Sequence, residues 1–188
     1  KNIKTVQELV ALGKTRPITF GSIGVGSPIH LTMERFRLSA GFQAQAITFK
    51  GAPEAMLEVM TGRIDVYYAP VLAALPLIKD GRLRAIAMST RERHALLPDT
   101  PTMIESGFPD MVSHTWSSIV APRGVPTAIV NKIHEGFRAA MMTPEGRAYR
   151  QGRVLVEVDY TPDEFEKFIA AEIERFRKIA QLAGIKPK

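Results

Sequence analysis

Short apolar stretches alternate with longer amphipathic segments through the first half of the chain. Strand-like stretches lead up to Ser22 and occupy residues 45–49, 64–69 and 83–88. Between them lie segments in which apolar positions recur with the spacing of a helix. Alternating short strands and helices are typical of βαβ units with a parallel sheet. The pattern therefore predicts an α/β fold.

Capping residues and glycines set the predicted limits of the helices. Ser27 is a typical N-cap and Pro28 is favoured at the first helical position, so a helix is expected from here to Gly41. Pro76 falls inside a later helical segment, residues 71–80, and is expected to kink it or to mark its start. Two further helices are expected after the capping box Thr5–Glu8 and after Pro53, with ends at Pro17 and Gly62.

The second half of the chain has a different pattern. Residues 89–114 look irregular, apart from a capping box at Thr102 and Glu105 that predicts a short helix. A strand candidate at residues 115–120 surrounds the single tryptophan, Trp116, and is expected to cross between two domains. The elements predicted after it are an amphipathic helix with Ile129, Ile133 and Phe137 on one face, a shorter helix at Thr143–Pro144, a strand at 154–158, and a helix from Thr161 to Gly184.

Composition limits the class of protein. The chain has 188 residues, of which 45% are hydrophobic and 23% are charged, as in globular domains, and it could hold one domain or a domain with part of another. It contains no cysteine, which excludes disulfides and thiolate chemistry. Its net charge of +6 comes from scattered basic residues, which favours anions in general and gives no sign of nucleic-acid binding. No apolar run approaches the roughly 20 residues of a membrane-spanning helix.

The main candidate for binding chemistry is the glycine-rich turn after the first strand. The turn contains Gly24 and Gly26, and Ser27 then starts a helix whose first N–H groups have no partners within the helix. With the helix dipole, these groups suit a carboxylate, phosphate or sulfate. The spacing matches neither the dinucleotide fingerprint nor the P-loop. A tight turn without a ligand is the alternative, whereas the polar residues Ser22 and His30 in the same turn favour a site.

A second candidate loop consists of Phe49, Lys50, Gly51, Ala52 and Pro53. It also joins a strand end to a helix start, and the carboxyl ends of parallel strands share one edge, where ligands bind. Ala69, after the third strand, belongs to the same edge. Lys50 would add a positive charge there, although a solvated lysine is the commoner outcome. Trp116 either belongs to a core or lines a cleft.

Metal binding and catalysis find little support in the sequence. His30 either hydrogen-bonds the turn or covers the end of its helix, and the histidines at 30, 94, 114 and 134 lack ligand-like spacing. A serine nucleophile elbow would need glycine where Phe20 stands. The sequence therefore predicts no metal, no cofactor and no catalysis. An α/β enzyme that acts on a small anionic substrate is the alternative.

Several of these stretches together resemble one family. The matching segments lie at residues 20–31, 49–55, 96–107 and 116–122. In this order they are similar to the periplasmic solute-binding receptors of tripartite tricarboxylate transporters, the Bug receptors. The resemblance implies a periplasmic-binding-protein-like fold with a parallel-rich sheet flanked by helices. It also implies that two lobes bind a small organic carboxylate, partly through water, and deliver it to the transporter's membrane subunits. The implied location is the periplasm, and no signal-peptide pattern is recognised before the first predicted helix.

The resemblance divides the chain at Trp116. Residues 1–116 would form the second lobe, and residues 117–188 would form the C-terminal part of the first. Phe49 replaces a tyrosine that is usual in the family. Family members begin with a further first-lobe stretch that carries the other ligand loop, and this chain lacks it. The apolar faces of the late helices then need another cover, so the sequence predicts truncation, disorder there, or pairing with a second chain. The residues that match ligand-loop motifs are Ser22, Gly24, Gly26, Ser27 and Lys50 to Pro53.

Overall fold

The computed structural model describes residues 3–113, 116–153, 158 and 160–185. The chain divides into two compact units, one made of Lys1–Thr115 with Phe176–Lys188 and the other of Trp116–Arg175. The helices are α1 (Val6–Thr15), α2 (Pro28–Ala40), α3 (Ala52–Met60), α4 (Val71–Lys79), α5 (Thr127–Met142), α6 (Pro144–Arg153) and α7 (Pro162–Leu182). The strands are β1 (Ile18–Ser22), β2 (Ala44–Thr48) and β3 (Val66–Tyr67), and Pro109–Met111 forms a short 3₁₀ helix.

The strands form one parallel sheet in the order β2-β1-β3. Ser22, the last residue of β1, is aligned with Thr48 of β2, and Gly21 is aligned with Tyr67 of β3. The carboxyl ends of the strands therefore lie at one edge of the sheet. This confirms the predicted α/β fold with a parallel sheet and places the predicted loops at a common edge.

The core of the first unit lies on the α1 and α2 side of β1. Ile18 and Phe20 are fully buried there, next to Leu9. The Phe36 ring meets the rings of Phe42 and Phe108 edge to face, with each pair of centroids 5.1 Å apart. Such aromatic contacts stabilise a core beyond the burial of their apolar area. They hold α2 in the core of the first unit, and with it the turn that precedes α2.

A buried carboxylate paired with a partly exposed arginine holds the opposite end of the sheet, where β1 and β3 begin. The Asp65 carboxylate is completely buried and accepts hydrogen bonds from the Arg16 guanidinium at 2.6 and 2.8 Å. It also accepts from the Thr19 N–H and hydroxyl, both at 2.9 Å. Because a buried carboxylate needs such donors, Asp65 sets the position of β3 beside β1.

Two strand predictions in the first unit need correction. The third strand was expected at residues 64–69, but only Val66–Tyr67 pairs. The strand expected at residues 83–88 is wrong: its backbone forms one isolated bridge, in which Met88 N–H donates to the Pro101 carbonyl at 2.8 Å. Its apolar side chains pack on the core without a neighbouring strand to pair with. An apolar pattern predicts burial, whereas a strand also needs a partner backbone.

The short helix predicted after Thr102 is also wrong, although its capping bonds form. Thr102 N–H donates to the Glu105 carboxylate at 2.7 Å, and Glu105 N–H donates to the Thr102 hydroxyl at 3.0 Å. The chain then makes a single turn and leaves it at Gly107, whose φ is 91°. A capping box starts a helix, but its length depends on the residues that follow.

The second unit contains α5, α6 and most of α7. The predicted caps are confirmed, since Thr143 accepts from Gly146 N–H at 3.0 Å, and Thr161 exchanges hydrogen bonds with Glu164 at 2.9 and 3.3 Å. The predicted strand at 115–120 is not formed by residues 116–120, where Ile119 and Val120 are exposed. The strand predicted at 154–158 lies outside the described residues, except for Val158, which is in no strand.

The apolar stripe of α5 is exposed. Ile129, Ile133 and Phe137 keep 50%, 47% and 49% of their surface in solvent, and no residue of α5 is buried. A 16-residue amphipathic helix normally buries such a stripe. The described part of the second unit therefore leaves this surface uncovered, and truncation, disorder or pairing with a second chain stays a prediction.

Candidate functional site

The turn between β1 and α2, residues 22–27, is here called the glycine loop. Ser27 caps α2 by accepting His30 N–H at 3.3 Å, and Ser27 N–H donates back to the Gly24 carbonyl at 3.2 Å. Gly24 and Gly26 have φ values of 137° and 80°, which favour glycine over residues with a side chain. A Cβ at either position would meet no neighbour, so backbone conformation is the reason for these glycines. The predicted N-cap is confirmed.

Ser22 shapes the glycine loop from inside. Only 1% of its surface is exposed, and its hydroxyl donates to the Gly24 carbonyl at 2.9 Å and accepts from Gly24 N–H at 3.1 Å. Its contribution in this structure is thus to the shape of the loop.

His30 binds the same loop from the first turn of α2. Its Nδ1 accepts Gly26 N–H at 2.9 Å, and its ring stacks on Phe20 with centroids 5.9 Å apart. Burial lowers the pKa of His30, against a smaller opposite effect of Glu34. Of the two sequence alternatives for His30, the structure shows the hydrogen bond to the loop.

Backbone donors remain at the start of α2. Within the described residues, the N–H groups of Val25 and Ile29 have no acceptor. Val25 is exposed and Ile29 is partly exposed, so solvent or a ligand can reach this region. Unpaired N–H groups at the positive end of a helix favour an anion.

The second loop is joined directly to the glycine loop. Phe49 N–H donates to the Ser22 carbonyl at 2.8 Å, which extends the β1–β2 pairing beyond Thr48. Gly51 caps α3 in an extended conformation, with Ala52 and Pro53 in the first helical turn. The structure therefore brings together the two loops that the sequence assigned to one site.

Glu54 is a residue at this loop that the sequence analysis did not single out. Its carboxylate accepts Lys50 N–H at 3.0 Å and lies at the start of α3. An acidic side chain in the first turn stabilises the helix and competes with an external anion for the same donors. Lys50 itself is exposed. The position of an acidic residue directly after Gly51-Ala52-Pro53 is the sequence signal that could have identified Glu54.

Tyr67 is a second residue that the sequence analysis missed. Its ring covers Gly21, where an added Cβ would lie 2.8 Å from Cδ2 of the tyrosine. Its hydroxyl is buried and has no hydrogen-bond partner among the described residues, and burial raises its pKa. Ala69 follows Tyr67 at the same edge of the sheet. A tyrosine within the apolar strand predicted at residues 64–69 was the available signal.

Trp116 belongs to the other compact unit, Trp116–Arg175. Its ring meets Phe165 and Phe168 edge to face, with centroids 6.0 and 5.5 Å apart. Its Nε1–H donates to Glu172 at 3.4 Å, and 41% of the residue is exposed. Trp116 is therefore part of an aromatic cluster, and its role as a ligand residue stays a prediction.

Other kinds of site find no support in the described residues. No group of three or more His, Cys, Asp or Glu side chains there is arranged to hold a metal ion. None of the described helices combines the length and apolar character that a membrane span requires.

The family model of the tripartite tricarboxylate transporter family receptor matches residues 1–185 of the chain. The chain belongs to this receptor family. The match confirms the resemblance drawn from the glycine loop and the segments after it. Because this is a family of transporter receptors, the activity supported at the level of the family is binding and not catalysis.

Two related proteins agree with this assignment. The chain is 29% identical to protein BugT of Bordetella pertussis over 99% of its own length and 58% of that protein. It is 32% identical to a Cupriavidus necator protein, described as UPF0065 protein in gbd 5' region, over 97% of its length and 56% of that protein. The chain thus spans a little over half the length of these relatives.

Solved structures show the same fold. The R. palustris protein Rpa4515, solved with adipate, superposes with a TM-score of 0.85 at 28% identity, and the match covers 100% of this chain and 63% of that one. The periplasmic binding protein BugD gives a TM-score of 0.81 at 21% identity over 100% of this chain and 64% of BugD. The periplasmic-binding-protein-like fold is therefore confirmed for the part of such a protein that this chain spans.

Proposed function

We propose that this chain is part of a periplasmic receptor that binds a small organic carboxylate between two lobes and delivers it to the membrane subunits of a tripartite transporter. The observation that carries the proposal is the direct hydrogen bond between two loops, from Phe49 N–H to the Ser22 carbonyl, at the carboxyl edge of the sheet. Each loop leads into a helix start, and membership of the receptor family supplies the context.

The donors in these loops suit a carboxylate. Val25 and Ile29 offer backbone N–H groups without acceptors in the described residues, while the glycine loop itself carries no charged side chain. Backbone donors and a helix dipole attract a carboxylate without a full positive charge. Ile23 and Val25 are exposed beside these donors and are apolar. A ligand with a carboxylate and an apolar body fits this surface, and adipate bound to Rpa4515 is such a molecule.

The proposed site consists of the residues that the sequence assigned to ligand binding. Phe49 stands where a tyrosine is usual in the family, so no hydroxyl contact is expected from it. The full set is Ser22, Gly24, Gly26, Ser27, His30, Phe49, Lys50, Gly51, Ala52, Pro53, Ala69 and Trp116. Ser22 and His30 contribute by shaping the loop, and exposed Lys50 contributes charge at the edge.

The lobe assignment is part of the same proposal. Residues 1–116 form the second lobe and residues 117–188 the C-terminal part of the first. The exposed stripe of α5 is then an inner surface of the first lobe. We propose that polypeptide equivalent to the unmatched part of the relatives covers it, since those chains are longer than this one. This chain alone is expected to self-associate, and monomers with an ordered second unit in light scattering and hydrogen exchange would contradict the assignment.

A thermal-shift screen tests the proposed function. The panel contains adipate and other dicarboxylates, tricarboxylates, amino acids and aromatic acids at millimolar concentration. A ligand that binds only the folded state at 100 times its Kd stabilises it by about 2.7 kcal/mol, which is readily measured. Gly24→Ala should abolish the shift, because φ at this position is 137°. Gly81→Ala is the matched control, because φ there is 69°, a Cβ meets no neighbour within 4 Å, and the residue lies outside the two proposed loops. If neither this chain nor its longer form responds to any acid, the proposal is wrong.

A further inference from the structure

His30 holds the glycine loop by its ring and by its backbone. Gly26 N–H donates to its Nδ1 at 2.9 Å, and its own N–H donates to the Ser27 hydroxyl at 3.3 Å. Only 6% of the residue is exposed, and Phe20 covers one face of the ring. A ring nitrogen that accepts a hydrogen bond carries no proton, so the neutral ring is protonated at Nε2. The histidine is therefore built into the loop as an acceptor.

The surroundings of His30 keep the ring neutral. Neither β1, the glycine loop nor β2 contains a charged residue. The charged group that acts on the ring is Glu34, one turn along α2, and its carboxylate accepts hydrogen bonds from Arg37 at 2.6 and 2.9 Å. Burial outweighs Glu34 and lowers the pKa of His30 from its ordinary 6.5. At neutral pH the Nδ1 lone pair is thus available to Gly26.

We propose that His30 is a positioning residue for ligand binding: through Gly26 its neutral ring holds the Val25 and Ile29 N–H groups in the arrangement that receives a carboxylate. That the ligand is a carboxylate rests on the proposed function. The opposite mechanism, in which a charged imidazolium contacts the carboxylate directly, requires the protonated ring. The two mechanisms predict opposite responses to acid.

The first test measures the loop itself, without a ligand. In the ¹⁵N-labelled chain, a coupling across the hydrogen bond should connect the Gly26 amide nitrogen with Nδ1 of His30. His30→Ala should remove the acceptor and speed hydrogen exchange at Gly26. His30→Asn should restore slow exchange, because the asparagine Oδ1 occupies nearly the place of Nδ1. No coupling in the wild-type chain, or equal exchange rates in all three proteins, would overturn the proposal.

The second test measures adipate affinity. Loss of the bond should weaken binding about tenfold in His30→Ala and less than about threefold in His30→Asn, since one hydrogen bond contributes about 0.5–1.5 kcal/mol. His94→Ala is the matched control, because His94 Nδ1 accepts Leu96 N–H at 3.2 Å in a different loop. It should leave the affinity unchanged. Wild-type affinity in a folded His30→Ala protein would overturn the proposal.

The pH profile separates positioning from direct contact. The ratio of wild-type to His30→Asn affinity cancels protonation of adipate, which affects both proteins. This ratio should fall as the pH drops through the lowered pKa of His30, since protonation removes the acceptor for Gly26. A rising ratio would show direct contact and overturn the proposal. If neither the wild-type chain nor its variants bind adipate, the proposed ligand class is in question. The coupling and exchange data then still decide whether His30 holds the loop.

Discussion

Gly21→Ala should destabilise the first unit, because three side chains surround the position that the new Cβ would take. That Cβ would lie 2.8 Å from Cδ2 of Tyr67, 3.1 Å from Cβ of Ala55 and 3.2 Å from Cδ1 of Ile64. Ala55 and Ile64 are buried, so the crowding cannot be relieved by a turn of a solvent-exposed side chain. Gly21 also lies in β1, the central strand.

The magnitude follows from two opposing effects. Overpacking a well-filled position costs about 1–3 kcal/mol. Replacing glycine by alanine in a regular element returns about 0.5–1 kcal/mol of backbone entropy. The net loss should be about 1–2 kcal/mol in the free energy of unfolding, and a double variant with Tyr67→Ala should show a favourable coupling of similar size. Gly136→Ala, in the second unit, should leave the stability of the first unit unchanged.

Urea denaturation followed by hydrogen exchange at the β1 amides is the appropriate assay. Exchange at β1 reports the first unit alone, which matters because the chain divides into two compact units. Equal or greater protection of β1 in Gly21→Ala would refute the reasoning. The reasoning would also be refuted if Gly21→Ala cost the same free energy of unfolding in the Tyr67→Ala background as in the wild-type chain. The crowding would then come from another side chain.

Two further predictions concern charged groups. Asp65→Ala should lower the free energy of unfolding by about 2–4 kcal/mol, as measured by urea denaturation. The substitution leaves the Thr19 N–H buried without its acceptor and removes the carboxylate that pairs with Arg16. A loss below about 1 kcal/mol would contradict this. The N-cap bonds from Thr161 lower the pKa of Glu164, so its stabilisation of α7 is present above the ordinary pKa of 4.5 and is lost as the pH falls through the lowered value. Circular dichroism should show this acid loss of helix, and Glu164→Gln should remove it.

Local signals in the sequence predicted local structure well. The start of α2 at Ser27 and Pro28 and the start of α7 at Thr161 are confirmed, because a cap depends on residues within one turn of each other. The strand expected at residues 83–88 was wrong, since strand formation depends on a pairing partner distant in sequence. Asp65 interrupts the otherwise apolar residues 64–69, and its partner Arg16 could not be identified because it lies 49 residues away in the sequence.

The same distinction applies to the candidate site. Sequence reasoning found the two loops because glycines, N-caps and prolines can be recognised within each loop separately. It could not find how the loops are held, because the Phe49–Ser22 and Gly26–His30 hydrogen bonds depend on the folded backbone. Ser22 and His30 were predicted as ligand-site residues because both are polar and lie in one turn, yet the Ser22 hydroxyl and the His30 Nδ1 make their hydrogen bonds to the loop. We therefore expect a ligand to meet backbone N–H groups of the glycine loop, with the exposed apolar side chain of Val25 beside them.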